Sequence, residues 1–190
     1  MAKFKVSENV SVEQFFKDAV PQQFQDMIAG ADMSALAGKE FKLQFNVAGK
    51  KYCLNIKDGR DVEIIEGGVD CASLAISLGE SDWRDAVTGK LEGVIDRFTD
   101  PSQLANPKTL STLLSTTGAL NVELKKPDGN VMPISMSFNG GTNPEATISL
   151  TLEDWVTMQK GQTDGQSLVM SGKMSFTGDM MFLMGLQNLM

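Results

Sequence analysis

Apolar and polar residues alternate in two separate stretches of the chain. In the first, Phe41, Leu43, Phe45 and Val47 interleave with Lys42, Gln44 and Asn46. A period of two predicts a half-buried strand. Ala48-Gly49-Lys50 predicts a turn, and Tyr52, Leu54 and Ile56 return on the apolar side, giving a hairpin over 41–58. Lys57-Asp58-Gly59-Arg60 is the next turn, Val62 to Ile65 a short strand, Gly67-Gly68 a loop, and Cys71 to Leu78 another strand. The second stretch repeats the plan. Leu120, Val122 and Leu124 interleave with Asn121, Glu123 and Lys125, and Pro127-Asp128-Gly129-Asn130 turns the chain. Met132, Ile134, Met136 and Phe138 return, Asn139-Gly140-Gly141 turns again, and Ala146 to Leu150 forms the next strand.

Helical spacing separates these strands. Over 11–29, Val12, Phe15, Phe16, Ala19, Val20, Phe24, Met27 and Ile28 recur at helical intervals behind a Ser11/Gln14 capping box. Pro21 is expected to end or kink the first part. A connecting helix is expected around Ser102 to Leu114. Thr151 and Asp154 make an N-cap pair for a helix carrying Trp155. The end of the chain reads as a strand from Leu168 to Phe176, a turn at Gly178, and a helix from Asp179 to Met190. That last helix is apolar nearly all round, which implies burial or a partner.

The chain's only two tryptophans lie in matching contexts. Residues 76–83 read ISLGESDW and residues 148–155 read ISLTLEDW. Between 76–89 and 148–161, six of fourteen positions are identical, each pair 72 residues apart. A strand, a Trp-bearing helix and a closing glycine form one unit, and its recurrence predicts an internal repeat. The expected fold is α+β: a twisted, mostly antiparallel sheet with helices packed on it, in one domain over 1–190. Its two related hairpin-plus-helix halves span about 11–93 and 119–190. The step from Gly49 to Gly129 is 80 rather than 72. The second half is therefore shorter between hairpin and Trp unit and lacks the strand seen at 62–65.

Composition narrows the function. A chain of 190 residues buries roughly 70% of its unfolded surface and can build a core without staples. Net charge is −7 and no dense Lys/Arg cluster occurs, which argues against nucleic acid and against anionic lipid headgroups. There is no histidine, so Ser-His-Asp and Cys-His catalysis are excluded. Cys53 and Cys71 are far apart and read as buried or semi-buried free thiols of a reducing, cytoplasmic environment. The start carries no apolar signal segment. The longest apolar run, Met180 to Leu186 counting Gly185, is far short of the ~20 residues that span a bilayer, so no stable membrane insertion is expected.

The closing sequence GKMSFTGDMMFLMGLQNLM resembles the end of the sterol carrier protein family, a Gly-Lys-Leu-x-x-x-Gly strand followed by an apolar helix. Gly172-Lys173-Met174 and Gly178-Asp179-Met180 are the matching residues. Residues 11–90 are similar to the front of the family pattern, and 120–190 to its back more completely. The resemblance implies a twisted antiparallel sheet with helices on one side and an apolar tunnel for sterols, fatty acyl chains or phospholipids. The family domain is about half this length, and here the first half lacks its own closing strand and helix.

The expected activity is therefore non-catalytic binding of an apolar lipid in a cavity between sheet and helices, with no cofactor and no metal. The candidate lining is Phe176, Met180, Met181, Phe182, Met184, Leu186 and Leu189, faced by Trp155 and Met158. Thioether side chains repack around ligands of differing shape, which suits methionine to such a site. Against this stands a filled core whose Met-rich terminus docks to a partner or forms a homodimer. Trp83 and Trp155 fit anchors of their helices, and Asp82 and Asp154 fit first-turn acids on a helix dipole. An enzyme would rest on Asp, Glu, Lys, Cys or Tyr52 alone, and no two of these are spaced to suggest a site.

Overall fold

A computed structural model describes residues 6–29, 32–91, 93–94, 106–186 and 189. Ser11 opens the first helix, α1 (Val12–Gln14), in a complete capping box. A π-turn over Phe15–Ala19 follows, and α2 (Val20–Ile28) continues it. Pro21 does not end this run. The wide turn closes with Val20 N–H on the Phe15 carbonyl, and the proline falls in the first turn of α2, where a missing donor matters least.

Two hairpins follow the alternation. β1 (Glu40–Val47) pairs antiparallel with β2 (Lys50–Lys57), and β3 (Asp61–Glu66) adds to β2. β4 (Leu74–Leu78) lies parallel to β1 and leads into α3 (Glu80–Val87). It begins at Leu74; Cys71 sits in the preceding turn. Of the expected connecting helix, α4 (Pro107–Ser115) is described, capped by Asn106, and residues 102–105 lie outside the described set. In the second half β5 (Gly118–Lys125) pairs antiparallel with β6 (Val131–Phe138). β7 (Glu145–Thr151) lies parallel to β5 and leads into α5 (Leu152–Gln159).

The stretch expected as a strand from Leu168 divides differently. Asp164 accepts the Ser167 N–H and starts a short helix, α6 (Gly165–Met170). A turn at Ser171-Gly172 then delivers β8 (Met174–Gly178), which is followed by α7 (Met180–Gly185). A local cap outweighs the strand propensity of Leu168-Val169. The rest of the helix expected to Met190 ends earlier: Leu186 is a turn, and 187, 188 and 190 are outside the described residues.

Among the described residues, eight strands form one mixed sheet in the order β3-β2-β1-β4-β6-β5-β7-β8. The halves meet where β4 pairs antiparallel with β6, setting Leu74 opposite Phe138 and Ile76 opposite Met136. β6 thus stands to β4 as β8 stands to β7, where Ile148 lies opposite Phe176. The first four strands are thus joined to the rest of the sheet by a strand of the second hairpin. One face of the sheet is apolar and shares a continuous core with buried helix residues. The other face carries small polar side chains in register, Ser77, Ser135, Asn121, Thr147 and Thr177.

Candidate functional site

The sequence directs attention to the layer between the second half of the sheet and α5, α6 and α7. Thr151 fixes the start of α5: its Oγ1 accepts the Asp154 N–H at 3.0 Å and donates to Asp154 Oδ2 at 2.7 Å. From that start, helical spacing turns Trp155 and Met158 inward, and both are buried. The Trp155 indole N–H donates to the Val94 carbonyl at 3.2 Å, tying α5 to the segment that follows the first half. Lys173, just ahead of β8, lies 3.0 Å from Asp154. The Thr151 hydroxyl first, and Lys173 second, hold the Asp154 carboxyl below the usual carboxylate range. A similar ion pair joins Asp82 of α3 to Lys126, which follows β5; the Asp82 carboxylate raises the Lys126 pKa.

β8 places Met174 and Phe176 opposite Leu150 and Ile148, on the apolar face. Gly178 then passes within reach of the β7 backbone: a Cβ built there would lie 2.4 Å from the Glu145 carbonyl oxygen. Asp179 N–H donates to that carbonyl at 2.9 Å, and its side chain accepts from Phe182 N–H at 2.8 Å to start α7. The Phe182 ring meets Phe138 edge-on, with centroids 6.1 Å apart, and lies over Gly118, where a Cβ would come within 2.8 Å of it.

Of the nine candidate residues, Trp155, Met158, Phe182, Leu186 and Leu189 are buried in this layer and Phe176 is half-buried. Met180, Met181 and Met184 are not. They are 52%, 77% and 55% exposed. The Asp179 cap sets the rotation of a six-residue helix, and Phe182, Leu183 and Leu186 take the inward stripe, leaving the methionines outside. Residues not singled out in the sequence also belong to the layer: Leu168, Met174 and Phe138. Met174 lies in the Gly-Lys-Met motif, and Phe138 ends an alternating strand; Leu168 was hidden in an apparent strand. Gln159, the last residue of α5, has neither side-chain polar atom exposed and neither hydrogen-bonded.

The corresponding layer of the first half is packed with rings. Phe16 stacks on Tyr52 at 4.8 Å, and Phe15 meets Trp83 edge-on at 5.3 Å. Phe16 also lies 5.4 Å from Phe45. Among the described residues no three His, Cys, Asp or Glu side chains are grouped as a metal site would need, and no helix is long and apolar enough to cross a membrane. Cys53 is buried, and burial pushes its thiol up to about 11, whereas Cys71 is exposed rather than half-buried.

Residues 99–190 match the model of the SCP-2 sterol transfer family. The match covers α4 through α7 and just under half of the chain. Among solved structures, the chain is similar to sterol carrier protein 2 from Yarrowia lipolytica in its apo form. That likeness has 18% identity, covers 50% of this chain and 89% of that one, and has a TM-score of 0.34. No curated protein matches the chain.

Proposed function

We propose that the protein binds an apolar lipid, a sterol, a fatty acyl compound or a phospholipid, without catalysis, between the second half of the sheet and α5–α7. The observation that carries this reading is the family match over 99–190, the segment that holds the closing strand and helix. The lining would be Trp155, Met158, Phe176, Phe182, Leu186 and Leu189. Apolar transfer supplies the affinity, about 25 cal/mol for each Å2 of apolar surface removed from water. The ring cluster of Phe15, Phe16, Phe45, Tyr52 and Trp83 supports a filled first half and a single lipid site. We read the common order of hairpin, parallel strand and Trp helix as a duplicated half whose first member became scaffold.

Native mass spectrometry of the purified chain tests this. A retained apolar mass, lost when 179–190 is deleted, supports the reading. Undiminished retention in the truncated chain counts against closure by α7. A second reading is favoured by one observation, the exposure of Met180, Met181 and Met184: α7 docks a partner or a second copy of the chain through that face. Light scattering distinguishes it. A dimer that becomes monomeric on truncation at 178, with no lipid retained, favours docking.

A further inference from the structure

A long polar side chain on a helix ordinarily keeps its stem on the protein and its polar head in water. Gln159 does the reverse. The residue is half-buried, yet its amide nitrogen and oxygen are both closed off from solvent and neither has a hydrogen-bond partner. Rotation to the surface would hydrate the amide, and a buried amide without partners is disfavoured. Gln159 lies one turn beyond Trp155, and residues four apart on a helix share a face. The inward side of α5 therefore presents, beside a tryptophan and Met158, an amide nitrogen and an amide oxygen without a hydrogen-bond partner.

We propose that Gln159 is the polar anchor of the lipid site and selects an uncharged, hydroxyl-bearing ligand, a sterol or long-chain alcohol, over a fatty acid anion. This rests on the lipid-binding reading above. A hydroxyl both accepts from an amide N–H and donates to an amide oxygen, so it can match either half of the carboxamide. A carboxylate only accepts, and in a closed apolar layer it also needs a cation. Of the cations on and beside α5, Lys160 points to solvent and Lys173 is paired with Asp154. A carboxamide supplies no charge to offset a buried anion.

The test offers the full chain 1-hexadecanol, 1-methoxyhexadecane and palmitate from phosphatidylcholine vesicles, with uptake counted by native mass spectrometry. The parent chain should favour the alcohol over each of the others about fivefold or more, the scale of one net hydrogen bond. Gln159→Leu should take up alcohol and ether within about twofold of each other. Its ligand-free melting temperature should rise, because an unpartnered amide is replaced by an apolar group; a purely structural hydrogen bond at Gln159 would make it fall. Gln159→Met should behave like the leucine variant. Equal uptake of alcohol and ether by the parent, or an alcohol preference that survives in both variants, overturns the assignment of Gln159 and leaves lipid binding standing. Uptake of none of the three probes by the parent overturns both.

Discussion

Replacing Gly178 by alanine probes the closure of the second half at one atom. The residue sits at φ +90°, a conformation in which an L side chain costs about 1–2 kcal/mol. Strain is the smaller part here. The new methyl group would lie 2.4 Å from the Glu145 carbonyl oxygen and 2.9 Å from Ala146 Cα, both backbone atoms that cannot swing aside. Relief requires β8 to move off β7, loosening the Asp179 N–H bond to Glu145 that seats α7. Overpacking of this kind adds about 1–3 kcal/mol, so the sum is about 2–5 kcal/mol. Gly161 is the control: its φ is +68° with nothing within 4 Å, so Gly161→Ala carries strain alone. Urea unfolding of both variants should place Gly178→Ala at least about 1 kcal/mol below Gly161→Ala. Equal losses at the two positions would refute the close approach of β8 to β7.

Asp154→Asn should cost about 1 kcal/mol near neutral pH, modest because Lys173 is largely exposed. The folded state lowers the Asp154 pKa, so its contribution is complete above the unfolded carboxylate value near 4 and fades as pH falls through the lower folded value. The gap between parent and variant in urea melts should therefore close in acid; a gap that persists there would contradict the pairing. Iodoacetamide at pH 8 should label Cys71 in the folded chain and leave Cys53 unlabelled until urea is added, as peptide mapping would report. Labelling of Cys53 in the folded chain would contradict its place in the sheet.

Much of the sheet was legible because alternation and turn chemistry are local signals. β1, β2, β5 and β6 fall within a residue or two of where Phe41–Ile56 and Leu120–Phe138 place them. The shared ISL…DW phrase falls both times on a strand and the helix that follows it, β4 with α3 and β7 with α5. Pairing between distant strands was not legible: nothing in Ile76 or Met136 announces that β4 and β6 meet. The site was readable only in part, for a related reason. Apolar character marks α7, but the Asp179 cap decides which side of it faces in, so Phe182 and Met181 look alike in sequence and differ in place. Gln159 gave no sequence signal, since a glutamine ending a helix is ordinarily solvated.

Photo-labelling tests the proposed lipid site most directly. A long-chain alcohol carrying a diazirine near mid-chain, incubated with the protein, irradiated and mapped by peptide mass spectrometry, should mark residues of α5 and β8, and Phe182, Leu186 or Leu189. Marks confined to the exposed faces of Met170, Met181 and Met184, or to the ring cluster around Phe16 and Trp83, would contradict a lipid held inside the second half.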